Sequence, residues 1–448
     1  MSNQYDINTP EVANGGEINA PVIILNEFGE RGKDRDDVAN IPTTAATSAT
    51  AQKRKICLVA KLQCLFFAMK IFGLFYEEYN TIRPRNTVRG LWMCTFTKRL
   101  YQLFVLLVLW LNVGRVFASF WLDDKLLSTE HTQAAAGLLW SLQTAIQASI
   151  CVYTMQITSK KSPLKSLLLY WNSQPNFDEL VVEPFMVKCV RRTLIVTYIF
   201  MMINAVFYGL VLFYPSESMQ YLARAFLSPF PLDNLASKIL GFVISAYCTA
   251  AWVLPFAIFT AICLTLIHQC RSLRKTLRLT ASASEVRRVK ILRQQHSSLC
   301  GSVRKVDDLF KFVTLVVYVT NIPLVCFLLY RLMFDKNNDA TTYVILTFWS
   351  LVVLLAMMSV SFLGAHLNSK IHSFTEVVQK VEIANVDLDT HTELMLFVAK
   401  LNGDPVAITA GGLVPITKPL IVTVLYISYS DRAVKRLRVS YNCSKKLG

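Results

Sequence analysis

The side chains most often used in catalysis and metal binding are present in this chain, but they are not arranged for either task. Its 11 cysteines run from Cys57 to Cys443 with no CxxC pair. They also show no His/Cys spacing suited to a zinc site or a secreted disulfide framework. No nucleophile lies beside a base in a pattern that indicates covalent or acid–base catalysis. We therefore expect neither an enzyme nor a protein that depends on a metal or another cofactor.

Aromatic residues within the long apolar stretches suit a different chemistry, the recognition of a small molecule. Large aromatic faces with a few polar tips are typical of ligand pockets. Each such residue taken alone more often serves helix packing or a membrane-interface belt, so the expectation concerns the group. The candidates for a pocket are Tyr208, Tyr247, Trp252, Tyr318 and Trp349.

Other polar side chains also interrupt these stretches. Arg115 lies within two turns of the end of the first stretch, from which we expect it to snorkel to the membrane interface. The amides are expected to bond neighbouring helices rather than a ligand. They are Asn112, Gln143, Gln147, Asn204 and Asn321.

The composition indicates that lipid is the solvent of this chain. Of its 448 residues, 53% are hydrophobic and only 17% are charged, an apolar excess too large for an ordinary water-soluble domain. The net charge of +16 comes from Lys and Arg clustered between apolar runs, where cytoplasmic loops carry them. Nucleic acid is therefore not an expected partner.

Six stretches reach the length of about 20 apolar residues that a helix needs to cross the bilayer. This pattern predicts an all-α, polytopic membrane protein. The predicted spans are about Tyr101–Trp121, Gln133–Gln156, Thr193–Tyr214, Ile239–Ile267, Phe312–Met333 and Tyr343–Leu367.

The distribution of basic residues predicts the orientation of these spans. The region before the first span is strongly basic, the first connection (LDDKLLSTEH) is acidic, and basic and neutral connections alternate from there on. Since positive loops face the cytosol, the N-terminus is expected to lie inside. Residues 1–50 are too polar to form a core, so we expect them to be a disordered cytoplasmic leader. Residues 51–100 mix basic and apolar side chains, and we expect them to form basic amphipathic helices at the inner membrane face.

The remaining chain divides into a membrane domain, residues 101–430, and a basic tail, residues 431–448. Within the membrane domain, the connections 268–311 and 368–404 carry apolar residues at helical spacing. We expect them to continue the membrane helices into the cytosol and to pack together there.

The last apolar segment, AITAGGLVPITKPLIVTVLYISYS from Ala407, is short and interrupted. An unbroken helix from Ile416 to Ser430 would measure about 22 Å, less than the ~30 Å hydrocarbon core. Irregular backbone at membrane depth is tolerated where it faces protein or water. The segment therefore predicts a broken seventh helix.

This segment, with Ser428-Tyr429 and six preceding spans, resembles the seventh helix of insect gustatory receptors. The signature of that family is Thr-Tyr, five mostly apolar residues and Gln-Phe. Here SDRAVKRL follows Tyr429, and the Gln-Phe pair is missing. The tail carries six basic residues against one acidic residue, so two topologies stay open. Either a seventh span ends in an outer tail, or the segment turns back to the cytosol.

The resemblance implies a ligand-gated cation channel that detects small tastants in the plasma membrane of sensory neurons. Four identical or related subunits would surround one pore, with the ligand among spans three to six. Residues of the last helix would line the pore, here Gly411, Gly412, Pro415, Thr423, Tyr426 and Tyr429.

Other functions remain as alternatives. The closest in kind are an odorant-receptor-like channel and a regulatory, non-conducting isoform. A G-protein-coupled receptor would place its N-terminus outside, against the charge pattern. A transporter usually shows midplane carboxylates, yet no Asp or Glu lies in the six predicted spans.

Overall fold

The computed structural model describes most of the chain after residue 56. The predicted leader, the basic tail and the pore candidates Thr423, Tyr426 and Tyr429 lie outside the described residues. The described residues are 57–76, 88–122, 129–156, 162–173, 183–214, 216–228, 230–231, 233–281, 286–334, 339–378, 388–403 and 406–419.

The described chain is almost entirely helical. In chain order its elements are α1 (Cys57–Ile71), α2 (Val88–Leu122), α3 (Thr129–Thr154), α4 (Pro163–Ser173), α5 (Glu183–Phe213), α6 (Glu217–Leu227), α7 (Leu235–Ala281), α8 (Val286–Phe334), α9 (Ala340–His372), α10 (Phe374–Val378), α11 (Leu388–Leu401), β1 (Thr409–Ala410) and β2 (Val414–Pro415).

Six of these helices are long and apolar enough to cross a membrane, which confirms the predicted number of firm spans. Three extend well past their predicted bounds, to Leu235–Arg278, Val289–Phe334 and Ala340–Val378. They run on because the connecting residues keep helical periodicity and no proline stops them at the membrane boundary. The predicted helical extensions of the membrane domain are therefore present.

Helix α7 forms the centre of the bundle. In its most apolar window 78% of the residues are buried within the protein, against 22% in that of α5. Its sequence supplies small residues for close approach, such as Ala250, Ala251 and Ala261, all essentially inaccessible. The other spans therefore surround α7 and present their remaining apolar faces outward.

The extensions of the long helices pack against one another, as the sequence predicts. The His296 ring of α8 lies edge-on to Phe374 of α10 at 4.8 Å and to Phe397 of α11 at 5.5 Å. Arg293 donates from Nε to the Glu393 carboxylate at 2.9 Å. An aromatic core with an ion pair beside it thus joins α8 to α11.

The segment after α11 corrects one sequence-based expectation. Gly411, Gly412 and Pro415 belong to an antiparallel hairpin in which Thr409 pairs with Pro415, and not to the last helix. Both glycines have a positive φ, +67° and +76°, which suits a turn better than a helix. The Gly411 N–H donates to the Lys311 carbonyl of α8 at 2.8 Å. Helical geometry returns only at residues 418–419.

Candidate ligand cavity

A cavity lies between α3, α5, α6, α7, α8 and α9. We call it the main cavity. Its lining residues are Ala136, Gly137, Trp140, Phe200, Asn204, Tyr208, Leu222, Trp252, Leu324, Phe327, Leu328, Arg331, Leu346, Trp349, Val352 and Val353.

Three of the five predicted aromatics, Tyr208, Trp252 and Trp349, line the main cavity. Tyr208 lies between two indoles, with ring centroids 5.7 Å from Trp140 and 5.4 Å from Trp349. Phe200 packs 5.9 Å from Trp252. These rings form an aromatic wall of the kind that holds flat or apolar ligands by their faces.

The structure does not bring Tyr247 and Tyr318 into this cavity. The Tyr247 hydroxyl lies 3.0 Å from that of Tyr101. The Tyr318 hydroxyl lies 2.6 Å from Ser361 Oγ. Both tyrosines therefore join helices elsewhere in the bundle, which is the packing role common for aromatics in spans.

Asn204 fixes the position of one wall residue. Its amide nitrogen donates to Thr249 Oγ1 at 2.8 Å, and its amide oxygen accepts from the Trp349 indole at 3.0 Å. Asn204 thus bonds two neighbouring helices, as expected, and holds the Trp349 ring against the cavity. Asn112 also bonds a neighbour, Ser141 Oγ, at 3.3 Å.

Three of the expected interhelical amide bonds are not found. The side chains of Gln143, Gln147 and Asn321 are fully buried. Their amide atoms have no hydrogen-bond partner within the part of the chain that the structure describes.

Two donors give the apolar main cavity its polar character. Arg331 of α8 lines it and is only 4% exposed. Trp252 is 5% exposed, and its indole N–H has no hydrogen-bond acceptor among the described residues. Because guanidinium and indole groups only donate hydrogen bonds, the cavity favours ligands that carry an oxygen acceptor.

Sequence reasoning missed Trp140, Phe200 and Arg331. For Arg331 a signal existed, since it is a charged residue inside the predicted span Phe312–Met333, where such residues are often functional. The two aromatics carried no comparable signal, because residue type alone does not say which helix face meets a cavity.

A second, smaller cavity adjoins the first. Its lining includes Asn112, Arg115, Ser141 and Ser245, and it shares Gly137 and Trp140 with the main cavity. We call it the polar annex. The residues that line it are Asn112, Arg115, Val116, Gly137, Trp140, Ser141, Leu227, Phe230, Leu240, Gly241, Ile244, Ser245 and Cys248.

Arg115 lies at the polar annex, where other groups of the protein accept hydrogen bonds from its guanidinium. Its Nε and Nη2 donate to Asn112 Oδ1 at 3.2 and 3.0 Å, and its Nη1 donates to the Ser228 carbonyl. The guanidinium also lies 5.7 Å from the ring centroid of Phe230.

The sequence model of the 7tm chemosensory receptor family matches residues 62–426 of this chain. The chain belongs to that family. The predicted resemblance to insect chemosensory receptors is thereby confirmed, and the membrane bundle and aromatic cavity are those of a chemosensory receptor.

Solved structures support the fold of this chemosensory receptor. It is similar to the insect olfactory receptor OR5 from Machilis hrabei, with a TM-score of 0.63 and 11% identity, over 85% of this chain and 98% of that one. The same olfactory receptor in complex with eugenol matches with a TM-score of 0.63 and 11% identity, over 84% of this chain and 97% of that one. A comparison with curated proteins gave no match.

Proposed function

We propose that this receptor is a subunit of a ligand-gated cation channel that detects small tastants in the plasma membrane of sensory neurons. Four identical or related subunits surround one pore. The observation that carries the proposal is the main cavity, an aromatic-walled space between five spans of a chemosensory receptor, with Arg331 and the Trp252 N–H in its lining.

The lining suggests the class of ligand. Four indole and phenol rings, those of Trp140, Tyr208, Trp252 and Trp349, offer large faces with little rotational freedom. The donors Arg331 and Trp252 add hydrogen bonds to an oxygen atom. A small, largely apolar molecule with at least one hydroxyl or carbonyl group satisfies both features.

Helix α8 offers a route from ligand to pore. It lines the main cavity from Leu324 to Arg331, and about 25 Å further along its axis it carries Asp307. The Asp307 carboxylate accepts hydrogen bonds from the Thr409 backbone N–H and hydroxyl, at 2.6 and 2.8 Å. A ligand that displaces α8 therefore pulls on the hairpin before the last segment.

In this proposal the last segment of each subunit faces the shared pore. The hairpin with Gly411, Gly412 and Pro415 sets where that segment starts, since its turn is bonded to α8. Thr423, Tyr426 and Tyr429 follow it in the chain and stay proposed pore-lining residues.

An odorant receptor is the second candidate. It is favoured by the similarity of fold to an olfactory receptor whose structure was solved with eugenol. A volatile phenol of that type also fits the main cavity, whose lining combines aromatic rings with hydrogen-bond donors. The two candidates differ in the solubility and volatility of the ligand, and not in the site that holds it.

The test uses the full-length chain, alone and with related subunits, challenged with a panel of water-soluble tastants and a panel of volatile phenols. Binding is measured as the change in Tm of the purified protein, and gating as agonist-evoked cation current. Trp252→Phe removes one indole N–H and is expected to weaken binding of oxygen-bearing ligands about fivefold, the effect of one hydrogen bond.

Trp110→Phe is the matched control, because Trp110 lies on an exposed face of α2. This variant should leave ligand affinity unchanged. Binding confined to the soluble tastants supports the taste assignment, and binding confined to the phenols supports the odorant assignment. A wild-type chain whose Tm responds to neither panel contradicts both.

A further inference from the structure

The main cavity and the polar annex meet at Gly137 and Trp140 of α3, which line both. We propose that the polar annex is a second ligand subsite, so that the receptor takes elongated amphipathic molecules. An apolar aromatic part lies in the main cavity and an oxygen-bearing end lies in the annex. This inference rests on the proposed function, because it extends the same ligand site.

The chemistry of the annex differs from that of the main cavity. Arg115, Asn112 and Ser141 form a hydrogen-bonded chain along its wall, and Ser245 adds a hydroxyl. No Asp or Glu is among the residues that line it. A cationic group with amide and hydroxyl donors favours an oxygen acceptor, either neutral or anionic.

Gly137 leaves space between the two subsites. A Cβ built at this position meets no heavy atom within 4 Å. Glycine costs a helix about 1 kcal/mol relative to alanine, so packing alone does not favour it here. The neighbouring Gly241 behaves differently, since a Cβ there would clash with Leu227 Cδ2 and is excluded by packing. The opening at Gly137 is thus the part of the wall through which a ligand can extend.

Trp140 is the other part of the shared wall. Its ring stacks on Tyr208, with centroids 5.7 Å apart and an interplanar angle of 29°. One face of the wall is therefore aromatic and belongs to the main cavity. The route past this wall runs beside Gly137, which has no side chain. This arrangement admits a flexible chain between an aromatic head and a polar end.

The test measures the affinity of the full-length purified receptor for a series of ω-phenylalkanols, from benzyl alcohol to 6-phenylhexan-1-ol. The phenylalkanes of the same lengths, which lack the oxygen, are the matched ligands. Gly137→Val and the milder Gly137→Ala narrow the passage. Gly114→Val is the control, since Gly114 is exposed and its Cβ would also meet nothing within 4 Å.

In the wild type, affinity for the alcohols should exceed that for the alkanes once the chain is long enough to reach the annex. Gly137→Val should lower affinity for the long alcohols about tenfold more than it lowers affinity for benzyl alcohol. Gly137→Ala should give the same pattern with a smaller loss, and it keeps the test valid if the valine variant fails to fold. Ser141→Ala should lower the affinity of the receptor for the long alcohols and leave its affinity for the alkanes unchanged.

If the Gly137 variants lose affinity equally for short and long alcohols, or lose none for either, the polar annex is not a ligand subsite. The main cavity would remain the ligand site. A wild type that binds benzyl alcohol but shows no advantage of long alcohols over alkanes would lead to the same conclusion. If no member of either series binds the wild type, the proposed ligand site is overturned together with this inference.

Discussion

The carboxylate of Asp307 in α8 accepts hydrogen bonds from the backbone N–H and the hydroxyl of Thr409, 102 residues later in the chain. The substitution Asp307→Asn puts an amide NH₂ where an acceptor oxygen stood. Hydrogen bonds to charged acceptors contribute about 1.5–3 kcal/mol, so the hairpin should detach more readily. Faster hydrogen exchange over residues 406–416 and a higher half-maximal agonist concentration are the expected measurements.

Asp308→Asn is the matched control for that variant. The Asp308 side chain is 49% exposed and pairs with Lys311, three residues along the same helix, at 3.2 Å. Such exposed pairs contribute little, so exchange in the hairpin should stay as in the wild type. Equal effects from the two substitutions would argue against a specific contact at Asp307.

Trp349→Ala should weaken ligand binding at least tenfold. The change removes a ring from the wall of the main cavity and the indole that donates to Asn204, so the ligand loses a large aromatic face. Tyr247→Phe and Tyr318→Phe should leave affinity within about twofold, because neither residue lines the cavity. Isothermal titration with one phenolic ligand distinguishes the three variants.

Gly73→Ala should destabilise the junction between α1 and the rest of the bundle. Gly73 has a φ of +67°, and a Cβ there would lie 2.8 Å from Val105 Cγ2. Strained backbone of this kind costs about 1–3 kcal/mol. In contrast, Gly114→Ala adds a methyl group on an exposed, open helix position and should be neutral or stabilising. Tm values of both variants in the same detergent give the comparison.

Asp339 links two helix starts, and this link should depend on pH. The hydrogen bonds from Thr342, together with one from Ser216 Oγ at 2.8 Å, lower the pKa of the Asp339 carboxyl from its ordinary value. A lowered pKa means that the stabilisation is complete above the unfolded-state pKa of about 4 and is lost as the pH falls through the folded-state value.

Accordingly, Asp339→Asn should have a lower Tm than the wild type at neutral pH, and the difference should shrink as the pH falls below about 4. Ser216→Ala removes one of the donors and should give an intermediate difference. A gap between wild type and Asp339→Asn that is the same at neutral and strongly acidic pH would contradict this account.

The spans could be predicted from the sequence because crossing lipid imposes a minimum apolar length, which can be counted along the chain. The position of a residue around its helix cannot be counted in that way. Tyr208 and Tyr247 are alike as residues in spans, yet only Tyr208 faces the main cavity. Which of the two faces a ligand depends on how neighbouring helices pack, and the sequence pattern does not contain that information.

Two contacts show a related limit. Arg115 donates a hydrogen bond to the Ser228 carbonyl, 113 residues away, and its local sequence gives no sign of this partner. Around Gly411 and Gly412 the apolar neighbours suggested helix, whereas the positive φ of both glycines and the bond from Gly411 to α8 produce a hairpin. In both places a distant residue determines the local structure.

The central position of α7 bears on how this receptor can change over evolutionary time. Its residues are enclosed by the other spans, whereas most side chains of the apolar part of α5 are not buried within the described protein. Any apolar side chain serves in lipid, but a fixed set of protein neighbours admits few shapes. A deep mutational scan should therefore find α5 permissive and α7 restrictive, so that new ligand preferences would arise more readily through the peripheral helices than through the axial one.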